Sequence, residues 1–188
     1  MNDDFFFGRK TNPSLFIENG LMKFYTSKIK NEESFYKEKD QNIYKHQLYN
    51  NFKFLKSIGY TGPAFTPIHQ ATIYDKNIYI DFLKKYNNIY DITSSKKFRN
   101  TKTYHINGII PFYQFMEKKS IASGNINSLV ISITNDEEQN YVEFALIKVY
   151  KPLLFCIEDD INNKTENIAT QYDIFFESIF SEKSKYEI

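Results

Sequence analysis

The hydrophobic positions of this chain fall into two regimes, one for each half. From Glu32 to Ile58, apolar and amide residues recur near helical spacing, through Ile43, Gln47, Phe52, Leu55 and Ile58. That spacing predicts a helix with Asn31 at its start and Gly59 at its end, because glycine reaches left-handed backbone angles without strain. Ile78 to Leu83 carries a second helical pattern that runs to about Tyr90. Between the two, Tyr60 to His69 reads as a bend holding Pro63 and Pro67.

The second half reads differently. Over residues 104–152 the pattern predicts strand, helix, strand, helix, strand. A strand opens at Tyr104-His105-Ile106-Asn107-Gly108, and a helix follows from Ile109 to Lys119. Leu129 to Thr134 is a β-branched apolar run with polar ends, the mark of a strand. Asn135-Asp136 then cap a helix with an acidic first turn, which suits the positive helix N-terminus. That helix leads through Tyr141 to Ala145, and Leu146 to Tyr150 closes the stretch as a strand before Pro152. Beyond it the pattern predicts a strand over Leu153 to Ile157, a polar loop from Glu158 to Ala169, and a last strand from Tyr172 to Phe176. Helices in the first half and strands in the second make an α+β chain, with N-terminal helices packed on a mixed or antiparallel sheet. Residues 1–30 are expected to form an N-terminal extension, with Phe5-Phe6-Phe7 pinned on the core, and residues 31–188 a single domain.

Composition narrows the function only a little. The chain has 18 Phe and 15 Tyr but no Trp, and is rich in Lys, Asn and Ile. That bias fits an AT-rich genome, so a Tyr- and Lys-rich surface is not by itself a nucleic-acid site. With 24 basic and 23 acidic residues the net charge is +1, which gives no global field to draw in a polyanion. The basic run Lys96-Lys97-Phe98-Arg99 with Lys102 reads as a solvated loop, and a nucleic-acid partner is not expected. The single cysteine, Cys156, excludes an intrachain disulfide and a Cys-based zinc site, and its apolar surroundings predict an inert buried thiol. His46, His69 and His105 show no metal-ligand spacing, so no metal is expected. No apolar run is long enough to span a bilayer. The acidic start, Met1-Asn2-Asp3-Asp4, is unlike a secretory signal, which makes the cytoplasm the default compartment while leaving specialised secretion open.

The residues at the strand ends carry the one functional pointer. Tyr60-Thr61-Gly62 with Phe65-Thr66-Pro67-Ile68-His69, then Tyr104-His105, then Ile131-Ser132-Ile133-Thr134 with Tyr141, then Gln171-Tyr172-Asp173, stand in the order of motifs in the mono-ADP-ribosyltransferases. Over roughly Leu55 to Phe176 the chain resembles that family, which includes bacterial toxins and phage enzymes acting on host proteins. The resemblance implies an ADP-ribosyltransferase-like fold, NAD as substrate, and a protein target. It assigns His105 and Asp173 as catalytic, and Ser132, Thr134, Tyr141 and Gln171 to the NAD cleft. A carboxylate beside the ribose would stabilise the oxocarbenium-like charge that develops as the nicotinamide bond breaks. Asp173 stands where the family has Glu, one methylene shorter, and Gly108 is displaced from its usual place beside the His.

Each of these residues also has a plain structural reading. His105 can be a hydrogen-bonded strand-end residue, Ser132 and Thr134 the outward face of a strand, and Tyr141 a core ring. Asp173 and Glu177 can solvate an edge strand. Glu143 and Lys148 invite a nuclease reading, but their spacing does not bring both to one strand face beside a second acid. The alternative function is a catalytically inactive interaction protein, an effector, immunity or phage host-takeover factor that holds a protein partner.

Overall fold

The computed structural model describes residues 4–26, 42–62, 68, 71–124, 126–162 and 165–182. The expected Asn31 cap, the first turns expected to follow it, and most of the Phe65 to His69 motif lie outside the described residues. The chain gathers into two compact units, one of Met1–Asn12, His69–Ala71 and Ile126–Ile188, the other of Pro13–Ile68 and Thr72–Asn125. Both are mixtures of helix and sheet, so the α+β class read from the sequence holds.

The second of these units, which contains most of the first half, opens with a hairpin. Strand β2 (Ile17–Glu18) pairs antiparallel with β3 (Leu21–Tyr25) across Asn19 and Gly20. Both loop residues have positive φ, 51° and 78°. That geometry matches the twist of the flanking strands and explains the Asn-Gly pair. β3 pairs in parallel on its other side with β4 (Ser120–Ser123), which completes a three-stranded mixed sheet. Helix α1 (Ile43–Ser57) starts at Asn42, whose side chain accepts the Lys45 N–H, and stops just before Gly59 at φ 95°. The second helical pattern is in fact two helices, α2 (Lys76–Lys85) and α3 (Asn87–Ser94), hinged at Tyr86.

Helix α4 (Ile106–Met116) is buried along almost its whole length, from Gly108 to Gln114. Gly108 is what allows this: a Cβ there would stand 2.7 Å from the His105 ring nitrogen and 3.2 Å from the Asn51 amide on α1. Pro111 sits inside α4 and cannot donate to the Asn107 carbonyl. Tyr74 replaces that donor, its hydroxyl reaching Asn107 O at 3.1 Å. Phe24 from β3, Leu55 from α1, Phe82 from α2, Ile89 from α3 and Ile109, Ile110, Phe112 and Tyr113 from α4 form one core. First-half helices thus share a core with a mixed sheet, as the pattern implied. Its rings meet edge to face, Phe24 on Phe112 at 5.2 Å and Phe82 on Tyr113 at 5.2 Å, an arrangement that adds specificity to burial.

The other unit is a βαβα arrangement. β5 (Ser128–Ile133) leads through α5 (Glu137–Tyr150) to β6 (Leu154–Asp159), parallel to β5, and then to α6 (Glu166–Ile179). The N-terminal strand β1 (Phe5–Phe7) pairs antiparallel with the far edge of β6. The expected apolar clip is therefore a strand, and Phe6 stacks on Phe155 at 5.1 Å. Ile131, Ile133, Phe155 and Ile157 from the sheet meet Phe144 and Ile147 from α5 and Ile168 and Phe175 from α6. Phe144 and Phe175 stack at 4.3 Å and join the two helices.

Three expected strands are not strands. Tyr104 and His105 are irregular and lead into α4. Leu146 to Tyr150 continues α5, because Asn140, Phe144 and Ile147 are buried at helical spacing and overrule the β-branched composition. Tyr172 to Phe176 lies in α6, where Ile168, Gln171 and Phe175 make the buried stripe. No helix among the described residues is long and apolar enough to cross a membrane.

Candidate functional site

Ser132 and Thr134 lie at the carboxyl end of β5, beside the parallel strand β6, the edge where open α/β sheets usually hold ligands. Thr134 follows the last residue of β5. Its hydroxyl accepts the Asp136 N–H at 3.1 Å, and Asp136 in turn caps α5 through the N–H groups of Glu138 and Gln139. Asn140, fully buried, takes hold of the Thr134 backbone from both sides: it accepts Thr134 N–H at 3.0 Å and donates to Thr134 O at 3.0 Å. The same amide donates to Gln171 Oε1 at 3.3 Å, and Gln171 Nε2 donates to the Glu137 carbonyl at 3.1 Å. Thr134 and Gln171 are therefore brought together, with Asn140 as the joint. Their polar groups are engaged in tying β5, α5 and α6 to one another.

Ser132 points away from this network, on the opposite face of β5 from Ile131 and Ile133, and is exposed. Tyr141 is 59% exposed on the outer side of α5, not in a core or a pocket. Asp173 is exposed on α6. Its relation to Gln171 decides much of the chemistry. On a strand, residues two apart share a face; on a helix they are turned by about 200°, to opposite sides. Gln171 is buried against Asn140 while Asp173 faces outward, so the two side chains leave α6 on opposite sides.

His105 belongs to the other compact unit. Its backbone is gripped by Asn51 as Thr134 is by Asn140: His105 N–H donates to Asn51 Oδ1 at 3.0 Å, and Asn51 Nδ2 donates to His105 O at 2.8 Å. The ring lies edge-on to Tyr44, centroids 5.5 Å apart. Burial raises the Tyr44 phenol above its usual range, and nearby Arg99 partly offsets that. Cys156 is buried, and desolvation together with Asp4, 3.6 Å away, pushes its thiol up to about 12. No group of three or more His, Cys, Asp or Glu that could hold a metal occurs among the described residues.

The pattern of the sequence hid a second apolar stripe on α5. Asn140, Phe144 and Ile147 face the core, but Val142 and Val149 are 53% and 76% exposed, with Ala145 between them. Positions 142, 145 and 149 lie along one side of a helix. Reading residues 146–150 as a strand divided this stripe between two elements and concealed it. Compared with known proteins, the chain matches no family model and none of the curated proteins.

Proposed function

We propose that this chain is a non-catalytic interaction protein and that the outer face of α5 holds a protein partner. The observation that carries the reading is the stripe of Val142, Ala145 and Val149, flanked by Tyr141 at 59% and Tyr150 at 67% exposure. A helix with apolar residues on two faces buries one in its own core and leaves the other for a second body. An amphipathic helix or a flat apolar patch of another protein fits a ridge of this kind, with the two tyrosines as anchors that offer large contact area at small entropic cost. The division of Gln171 and Asp173 between opposite sides of α6 favours this reading over ADP-ribosyl transfer.

Two measurements test it together. Calorimetric titration of the full chain with NAD is expected to show no binding heat. Affinity capture from a source lysate is expected to retain a protein that the Val142→Glu/Val149→Glu double variant, equally folded by circular dichroism, does not retain. NAD binding accompanied by turnover that Asp173→Asn abolishes would restore the transferase. Identical capture by wild type and variant would remove α5 as the docking face.

A further inference from the structure

We infer that the unit of Pro13–Ile68 and Thr72–Asn125 binds single-stranded nucleic acid, through the turn at residues 97–103 and the helix that holds it. The net charge of +1 conceals a strong segregation. This unit carries 17 basic and 9 acidic residues, net +8; the other carries 7 and 14, net −7. Within the basic unit the acids are also unevenly spread. No Asp or Glu occurs from residue 42 to 74 or from 92 to 116, whereas Lys45, Lys53, Lys56, Lys96, Lys97, Arg99 and Lys102 all fall in those runs.

The structure joins the two runs through a set of amides on α1. Asn50 donates to the carbonyls of Thr101 and Thr103, at 2.8 and 2.9 Å. Gln47 donates to the Thr103 hydroxyl at 2.8 Å, and Asn51 grips His105. The turn is closed on itself as well, Thr103 N–H to Asn100 O at 3.2 Å and Lys102 N–H to Asn100 Oδ1 at 2.9 Å. A backbone so heavily fixed presents its cations from a preformed frame, which lowers the loop's ordering cost on binding. Arg99 and Lys102 are exposed on it, and Lys53 stands one helical turn from Asn50.

What selects nucleic acid from other anions is the aromatic among these charges. Phe98 is 74% exposed, and the Lys97 ammonium lies 5.4 Å from its ring centre. Phe98 is an exposed ring flanked in sequence by two cations, Lys97 and Arg99. Cations that neutralise phosphates beside a ring on which a base can stack are the two parts of a sequence-tolerant single-strand site. Four phosphate contacts, from Lys53, Lys97, Arg99 and Lys102, imply a slope of log affinity against log salt of about −2.8.

The test is fluorescence anisotropy of the full chain with a labelled dT15 or rU15 oligonucleotide. Raising salt from about 40 to about 200 mM is expected to weaken binding on the order of a hundredfold. Arg99→Glu/Lys102→Glu is expected to flatten the salt slope by about 1.4, and Phe98→Ala to cost roughly five- to a hundredfold in affinity at fixed salt. Lys84→Glu/Lys85→Glu makes the same charge change on α2 of the same unit and is expected to shift affinity less than about twofold, since neither lysine is among the four phosphate contacts. Circular dichroism of each variant checks that these exposed substitutions leave the fold intact. The inference is overturned by no binding at the lower salt, or by equal losses in the α2 control. It is also overturned if Phe98→Ala has no effect and heparin competes as well as the oligonucleotide, which would leave plain attraction between opposite charges.

Discussion

Two asparagines, one in each unit, perform the same task. Asn51 and Asn140 each project from a helix and pair with the N–H and C=O of a single residue, His105 and Thr134. A side-chain amide used this way imitates a neighbouring strand, and lets a short irregular segment be buried with its backbone satisfied. Removing either amide strands two backbone groups at once. Asn51→Ala and Asn140→Ala are each expected to lower unfolding stability by about 2–4 kcal/mol. Asn140→Ala belongs at the upper end because it also leaves the buried Gln171 acceptor without its donor. Urea denaturation checks this, and a loss below about 0.5 kcal/mol, the range of ordinary surface changes, would show that the amides are incidental. The polar character of these positions was visible in the sequence, which put His105 and Thr134 at functional strand ends. Their role in holding backbone was not visible, because it depends on partners 54 residues away in one case and 6 in the other.

The elements show where sequence pattern reached and where it stopped. β5, β6, α4 beyond its first turn and the capped start of α5 were legible, since each rests on local signals: a β-branched run, a helical period, an aspartate before an acidic turn. Asn19-Gly20 is an equally local hairpin signal. Leu146 to Tyr150 at the end of α5 and Tyr172 to Phe176 within α6 read as strands because Ile147, Val149, Tyr172 and Phe175 favour sheet by composition, and only the contact of Phe144 with Phe175 decides the matter. That error created the Gln171-x-Asp173 strand motif, and much of the candidate site with it. The end of α5 also carries a backbone cost. Lys151 takes a left-handed conformation, φ 44° and ψ 58°, and its N–H closes on Ile147 O at 2.9 Å. A lysine there is strained where glycine is not. Lys151→Gly is expected to stabilise the protein by about 0.5–1 kcal/mol, read as a raised urea or thermal midpoint. A fall in the midpoint would mean that the lysine side chain contributes more than its backbone geometry costs.

At the scale of the molecule, both cores are built from rings, and this makes the protein sensitive to alkali. Tyr60 and Tyr74 in one unit and Tyr172 in the other have phenols pushed up to about 12, chiefly by burial, with Tyr79 adding to the rise at Tyr74 and Asp159 at Tyr172. Cys156 is raised to the same level by burial and then by Asp4. In each case the neutral form is favoured in the folded state. The unfolded chain ionises near pH 10 for tyrosine and near 9 for cysteine, while the folded chain still keeps its protons. The unfolded state therefore binds fewer protons over this window, and stability falls as pH rises. The contribution of these groups is fully present below about pH 9 and is lost progressively up to about pH 12. Tyr74 adds a structural consequence, because its hydroxyl is the donor that replaces the one missing at Pro111. Ionised, it becomes an acceptor facing the Asn107 carbonyl. The thermal midpoint is expected to be flat from pH 7 to 9 and to descend from there, with Tyr74→Phe less stable at neutral pH by about 1 kcal/mol for the lost hydrogen bond but less steep in its alkaline decline. Thiol titration makes the companion measurement: Cys156 is expected to resist alkylation at pH 8 in the native protein and to react at once in denaturant. Rapid native labelling, or a midpoint unchanged at pH 11, would show that these groups are open to water.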